Sequence, residues 1–395
     1  MSKTFEGYLL IADITGYTSY LSESELEHAQ DTLTTLLKVL VEHTRPPLVI
    51  SRLAGDAVIS YGLRENFFQS QTFLEVIEDT YVAFRKAIEL MVLNNTCRCN
   101  ACANVSSLDL KFFLHYGSFA IQRIAEHDEL VGSDVNLLHR LLKNRVMEIT
   151  GRRAYILFTE PALQRLGISA LNETMTPHSE SYEHLGEVKV WVQDMHPVWQ
   201  NKRQAATINI PEKEISWQSE FEIAMSPEQL WDYVTQPEFR NTLIGADRME
   251  LANRVQGRVA AGSIYQCYHG NQLVPHTILE WQPFERMLTQ EVFPLMTANS
   301  YLREYHLEAT EGGTQLTVTV SKGSGPALGR ILMRLVMTMT SQMINRNLTA
   351  LKAQIETDYR KRQEGLQSDL QLNADQIREA AAASLEDLPA PSSSP

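Results

Sequence analysis

Tyr8-Leu9-Leu10-Ile11-Ala12-Asp13-Ile14-Thr15-Gly16-Tyr17 is an almost wholly apolar run with one carboxylate near its end. A run of this length beside a glycine reads as a fully buried strand, in which an uncompensated Asp13 would cost about 2–7 kcal/mol. A nearby cation is the simplest compensation. Farther along, Leu48-Val49-Ile50-Ser51-Arg52-Leu53-Ala54-Gly55-Asp56-Ala57-Val58-Ile59-Ser60 gives two β-rich runs around Gly55-Asp56. Two carboxylates at the edges of neighbouring strands make a hard-oxygen site suited to magnesium or manganese. By themselves the same residues also read as a strand-end cap and a Gly-Asp hairpin turn.

The 395 residues are too many for one ordinary domain and suit two, each able to bury its own core. A formal charge of -13 argues against a general nucleic-acid binder, which would need clustered Lys and Arg for phosphate. No basic n-region opens the chain, and Asp13 interrupts its first apolar stretch, so no signal peptide is expected. The most apolar late segment, Ile331 to Ile344, contains Arg334 and is shorter than a membrane span, which points to a cytoplasmic protein without a membrane span. Three of the four cysteines crowd into Cys97-Arg98-Cys99-Asn100-Ala101-Cys102, which is no disulfide framework. Three thiolates this close suit zinc, with a fourth ligand from a distant His or Cys; the alternative is three reduced cysteines in a helix-to-strand connection. His115 is a candidate fourth ligand, although it reads better as a strand histidine.

The spacing predicts helices over Ser22–Val41, Thr72–Leu93 and Val135–Lys143, and strands at Leu108–Tyr116, Gly117–Ile124, Ala154–Thr159 and Val188–Val192. With the first strand and the 48–61 hairpin this gives β-α-β-β-α-β-β-α-β, a mixed α+β sheet. Asn136 and Arg140 lie four apart and so share a helix face. The boundaries are set at 1–199 for a first domain, 200–214 for a linker, 215–365 for a second domain and 366–395 for an acidic, disordered tail. In the second domain a strand at Ile215–Met225 precedes a helix opened by Ser226-Pro227-Glu228. Strand-like runs follow at Leu251–Val259, Ser263–His269, His276–Gln282, Met287–Phe293, Tyr301–Ala309 and Thr314–Ser321. A long amphipathic helix from Gly325 to about Arg362 closes the unit. A curved antiparallel sheet gripping such a helix can hold an apolar ligand. Tyr265, Tyr268, His269, His276, Trp281, Tyr301, Arg303 and Tyr305 either line that cavity or fill the core, as does the group Met333, Met337, Met339 and Met343.

Across Tyr8 to Trp191 the chain resembles the catalytic domain of class III nucleotide cyclases, a ferredoxin-like α+β fold. Asp13-Ile14-Thr15-Gly16-Tyr17-Thr18 is similar to the first metal motif, and Ala54-Gly55-Asp56 to the second. Val131-Gly132-Ser133-Asp134-Val135-Asn136-Leu137-Leu138-His139-Arg140-Leu141 resembles the helix that carries the transition-state Asn and Arg. The resemblance implies conversion of a nucleoside triphosphate to a 3′,5′-cyclic nucleotide plus pyrophosphate, with two Mg2+ or Mn2+ ions held by Asp13, Asp56 and the backbone carbonyl of Ile14. It implies that Asn136 orients the ribose and Arg140 meets the charge developing on the α-phosphate. It further implies a homodimer, with the Asp pair from one subunit and Asn136 and Arg140 from the other. At the base-reading positions the adenine-selective pattern has Lys and Asp, where this sequence has Arg52 and Glu129. Arg is forked and always charged, so base identity stays open. A catalytically inactive cyclase fold serving as a regulatory or ligand-binding module is the alternative.

Ile215 to Asp358 resembles the START-related helix-grip (SRPBCC, polyketide cyclase-like) domains, most specifically at Ser226-Pro227-Glu228-Gln229-Leu230-Trp231-Asp232-Tyr233-Val234. That resemblance implies a fold and an apolar small-molecule ligand, and no catalytic set.

Overall fold

The computed structural model describes residues 4–46, 48–63, 70–94, 97, 99–124, 127–167, 174–183, 185–204, 207–293, 299–324, 345–349, 352 and 360. The chain begins with β1 (Thr4–Thr15), α1 (Tyr17–Ser22), α2 (Leu26–His43), β2 (Val49–Ala54), β3 (Ala57–Leu63), α3 (Ser70–Leu93), α4 (Asn100–Asn104) and β4 (Asp109–Ile124). It continues with β5 (His127–Val131), α5 (Ser133–Leu141), α6 (Val146–Thr150), β6 (Tyr155–Thr159), α7 (Glu160–Leu166), β7 (Thr176–Tyr182), β8 (Gly186–Asp194) and α8 (His196–Gln204). These strands form one sheet in the order β2-β3-β1-β4-β6-β8-β7, with β5 paired to β4. Its first part, β1-α2-β2-β3-α3-β4, is a β-α-β-β-α-β unit ordered β4-β1-β3-β2, which is the ferredoxin-like arrangement.

The opening run lacks polar alternation because β1 is a central strand covered on both faces, with β3 and β4 antiparallel on its two sides. Tyr8, Leu10, Ala12 and Ile14 pack with Leu36 and Leu40 of α2 and Phe73, Ile77 and Phe84 of α3. Leu9 and Ile11 face the opposite core, with Phe113 and with Val135 and Leu138 of α5. Asp13 has the same parity as Leu9 and Ile11, so it belongs to the α5 face. The segments expected as separate strands, 108–116 and 117–124, are one continuous strand, β4. Gly117 in its middle is required by close approach, since a Cβ there would collide with the Asp134 carboxylate that caps the Ser118 amide at 2.7 Å. The edge strand β7, TPHSESY, carries too little apolar periodicity to read as a strand and owes its conformation to pairing with β8.

The second sheet is wholly antiparallel. After β9 (Ile215–Ile223), α9 (Pro227–Thr235) and α10 (Pro237–Ile244) come β10 (Arg248–Asn253), β11 (Ile264–His269), β12 (Gln272–Gln282), β13 (Arg286–Phe293), β14 (Asn299–Thr310) and β15 (Gly313–Ser321). Their order is β10-β11-β12-β13-β14-β15-β9. The strand expected at Leu251–Val259 ends at Asn253, and Val255 and Arg258 pair across a tight turn instead. Of the long helix expected from Gly325 to Arg362, residues 345–349 are helical, and Leu348 is buried in the core. The four methionines named for that helix and the 366–395 tail lie outside the described residues.

Every residue of α9 is buried, including Glu228 and Asp232, because the helix is covered on its far side by the first sheet's helices. Thr72 of α3 donates to Asp232. Arg45 reaches Glu228 at 3.1 Å, and Arg258 clamps Glu78 with two bonds of 2.7 and 2.9 Å. Gln71 brackets Val259, donating to its carbonyl at 2.7 Å and accepting from its amide at 2.9 Å. Trp281 donates to Glu75 at 2.8 Å. Ser226 does not cap α9 through its side chain, which donates to Gln229 instead.

Burial between the sheets pushes the Asp232 carboxyl up to about 8 and that of Glu75 up to about 7. Both groups are raised well above the carboxylates of an unfolded chain. The folded protein therefore holds protons that the unfolded chain has released, and stability falls as pH rises from about 4 through 8. The variant D232N, which keeps the acceptor for Thr72 but cannot ionise, is expected to flatten this fall. By thermal denaturation at pH 9 it should melt above the wild type, by roughly 2–4 °C for each kcal/mol relieved. Equal melting temperatures for the two proteins from pH 5 to pH 9 would refute that assignment.

Candidate functional site

The carboxylates singled out in the sequence meet at one end of the first sheet. Asp13 lies in the last turn of pairing between β1 and β3, opposite Ala57. Asp56 sits in the hairpin turn just before Ala57, next to Gly55, whose φ of 66° lies in the left-handed region. The Ile14 amide donates to the Asp56 carbonyl at 3.2 Å, which ties the two segments together. Burial, and after it the negative charge of Asp13, raises the Asp56 carboxyl above the usual carboxylate range. Tyr17 is raised as well, by burial and then by Asp56. Just past Asp13, Gly16 turns the chain into α1 with a φ of 87°.

The cation beside Asp13 is Lys111, whose Nζ lies 3.0 Å from Oδ2. Lys111 is the direct cross-strand partner of Asp13 on β4. Sequence reasoning did not single it out, although a lysine between Leu110 and Phe112 in an apolar strand was the available signal.

Arg52, Glu129 and Asn136 come together elsewhere. Arg52 Nη1 and Glu129 Oε2 are 2.9 Å apart. With Leu130, Val131, Val135, Asn136 and His139 they line a cleft of ≈ 450 Å³, which neither Asp13 nor Asp56 lines. A bulge in β2 between Ile50 and Arg52 resets the register there. His139 was also missed; it sits three residues after Asn136 and is held below the usual histidine range by burial and then by the Arg52 charge. Arg140 is exposed on the same helix. Within one chain, then, these residues form two groups: Asp13, Asp56 and Lys111, and Arg52, Glu129, Asn136 and His139.

The three clustered cysteines gather around a histidine. His28 Nδ1 lies 3.1 Å from Cys99 Sγ, 3.7 Å from Cys97 Sγ and 3.6 Å from Cys102 Sγ. These four ligand atoms lie within 4.8 Å of one another, and the set could hold a metal ion. The separations suit the edges of a tetrahedron around zinc. The fourth member is His28, on α2, and not His115. His115 is buried in β4, 2.8 Å from Thr159 Oγ1 and 3.5 Å from Asp134.

The inner face of the second sheet departs from a purely apolar cup. Glu291 Oε2 lies 3.0 Å from Arg303 Nη2 and accepts from Tyr301, while Arg240 Nη2 stands 3.9 Å from Oε1. All four side chains are buried. Burial raises the Glu291 carboxyl, but Arg303 and Arg240 outweigh it and bring it to about 2. His276, 3.4 Å from Glu291, is pushed down to about 3 by burial despite that carboxylate. Two guanidinium groups around one carboxylate leave an excess positive charge. Of the cavity candidates, Tyr265 and Tyr305 are buried under Arg240. Tyr268 stacks on Arg248, and Trp281 packs on Trp231 at the border with α3.

Residues 33–150 match a family described as a protein of unknown function (DUF2652). A curated relative, the uncharacterized protein Rv2561/Rv2562 of Mycobacterium tuberculosis (strain ATCC 25618 / H37Rv), is 32% identical over 112 residues, 28% of this chain and 50% of its own length. The chain thus spans about half the length of that relative. Among solved structures, a bacterial light-regulated adenylyl cyclase is 12% identical, with 51% of this chain and 98% of that chain covered and a TM-score of 0.36. The adenylyl cyclase CyaB from P. aeruginosa is 14% identical over 49% of this chain and 96% of that one, with a TM-score of 0.35. The catalytic core of a rhodopsin-guanylyl cyclase with converted specificity, in complex with ATPalphaS, is 18% identical over 49% and 97%, with a TM-score of 0.34. Scores and identities of this size assign no activity to the chain. Residues 214–356 match the family described as polyketide cyclase / dehydrase and lipid transport, so that the helix-grip unit is a polyketide cyclase-like domain.

Proposed function

We propose that this chain is a cytoplasmic nucleotide cyclase that acts as a homodimer, with a catalytic unit over 1–199 and a ligand-sensing helix-grip unit over 215–365. The observation that carries the reading is the convergence of Asp13 and Asp56 at the end of β1, where burial and, after it, the Asp13 charge raise Asp56. Two such oxygens repel unless a cation sits between them, and their hard-oxygen character suits Mg2+ or Mn2+. Ions bound there would supply Lewis acidity toward the triphosphate and lower the pKa of the ribose 3′-hydroxyl. Asp13, Asp56 and the Ile14 carbonyl would hold them, with the Lys111 ammonium 3.0 Å from Asp13 Oδ2. The 3′-hydroxyl gives up its proton to solvent, its oxygen forms a bond to the α-phosphorus as the bond to the bridging oxygen breaks, and pyrophosphate leaves.

Asn136 orients the ribose, and Arg140 meets the negative charge that builds on the α-phosphate oxygens. Arg52 and Glu129 flank the base. Their grouping with Asn136, away from Asp13 and Asp56, supports a site shared between two subunits, one giving the metal pair and the other the rest. The second unit takes an apolar small molecule, and the excess positive charge at Arg240 and Arg303 favours one with an acidic end. Zinc at His28, Cys97, Cys99 and Cys102 fastens the start of α2 to α4. The alternative, a cyclase fold retired to regulation, is favoured by one observation: Asp13–Lys111 and Arg52–Glu129 already neutralise each other's charges within the chain.

The full chain, incubated with Mn2+ and each of the four ribonucleoside triphosphates in turn, is expected to release pyrophosphate and a cyclic product from one of them. Silence with all four from a dimeric preparation would support the retired reading. With the active triphosphate, R140A should lower kcat by about 10²–10³-fold. D13A should reduce product to background. Because the two lesions fall on opposite sides of the shared site, mixing D13A with R140A in equal amounts should restore about one quarter of wild-type turnover by statistical pairing of subunits. No recovery on mixing, given subunit exchange, would place the whole site within one chain. Metal analysis is expected to find about one zinc per chain, lost together with several degrees of melting temperature in C99S. A metal-free wild type of unchanged stability would remove zinc from the account.

A further inference from the structure

Between α3 and α8 on one side and two loops of the second sheet on the other lies a cleft of ≈ 590 Å³. Its walls include Val82, Val198, Val255, Val259 and the Trp281 ring, a mostly apolar surface large enough for a small aromatic molecule. The charged groups at its rim are mostly taken. Arg258 is held by both oxygens of Glu78, Asp79 by His43 at 3.0 Å, and Asp194 by His196 at 2.8 Å. Lys202 lies 3.6 Å from Glu285.

Glu75 is different. It lines the cleft and is 4% exposed. Its Oε1 already accepts from Gln71 Nε2 and Trp281 Nε1, both at 2.8 Å, while Oε2 is buried without a hydrogen-bond partner among the described residues. Gln193 Oε1, also lining the cleft, is a second buried oxygen without a partner. Buried acceptors left unmade cost free energy, and what both lack is a donor.

We infer that this cleft is a ligand site joining the two sheets, and that it takes a small organic amine: an apolar, flat body against Trp281 and the valines, with its ammonium donating to Glu75 Oε2 and Gln193 Oε1. Burial holds Glu75 near the point where it can go either way, at about 7, so an arriving ammonium draws it into its ionised form. Since α3 carries Glu75, while β12 carries Trp281 and the loop between β10 and β11 carries Val259, the occupant touches both units at once. This site is separate from the Asp13 and Asp56 pair and does not depend on the chain being a cyclase.

The test uses the full chain with two amine probes, 2-phenylethylamine and tryptamine, and their matched carboxylates, 3-phenylpropionate and indole-3-propionate, in saturation-transfer NMR and titration calorimetry. At least one amine is expected to bind, and neither carboxylate. E75Q, which keeps the bonds to Gln71 and Trp281, should weaken that amine by about tenfold or more, the loss of a charged hydrogen bond. A260W, which places a large side chain in the cleft wall, should abolish binding in a protein that melts like the wild type. Failure of both amines to bind, carboxylates binding as well as the amines, or amine binding unchanged in either variant would each overturn the assignment.

Discussion

The rest of the first sheet depends on one constraint: β1 is buried on both faces and yet ends in a carboxylate. Covering both faces requires helices on each side: the ferredoxin-like unit supplies α2 and α3 on one, and α5, which follows that unit in the chain, covers the other. Placing β3 and β4 on the two flanks brings Asp56 and Lys111 to the same strand end, because the first follows from the hairpin turn and the second from direct cross-strand register. The charge of Asp13 is thus answered once, by an ammonium at contact distance, and opposed by a neighbouring carboxylate, a pair that would itself welcome a further cation.

That arrangement explains how much of the molecule was legible in its sequence. The doubly buried strand, the hairpin around Gly55 and the helix bearing Asn136 are each written in local periodicity and turn chemistry, and the α+β class follows from their order. Groups whose role is set by pairing between distant segments were not legible. Lys111 acquires meaning only from its register against Asp13, His28 only from the packing of α2 against α4, and His139 only from the cleft beneath Arg52. The burial of Glu228 and Asp232 in α9 was not legible either, because nothing local says that another sheet's helix will cover them. β7 went unseen because an edge strand needs few apolar residues once its neighbour supplies the hydrogen bonds.

The two sheets are joined by polar contacts as much as by apolar ones, and those contacts are titratable. A border built on Asp232, Glu75 and the Arg258–Glu78 clamp is sensitive to proton and ligand alike, whereas a border of leucines would not be. The helix α3 is shared between the two sheets: one of its faces packs on β1, the other holds the second sheet. The buried Glu291 cluster lies on the inner face of that same second sheet.

The central claim is that the end of β1 is a divalent-cation site made by Asp13 and Asp56. Manganese titration of the full chain, followed by the electron paramagnetic resonance signal of the free ion, tests it without reference to any substrate. The account predicts saturable loss of free-ion signal in the wild type and its disappearance in D56N, a change that leaves the hairpin backbone and its Ile14 hydrogen bond in place. Equal manganese uptake by wild type and D56N, or none by either, would contradict it.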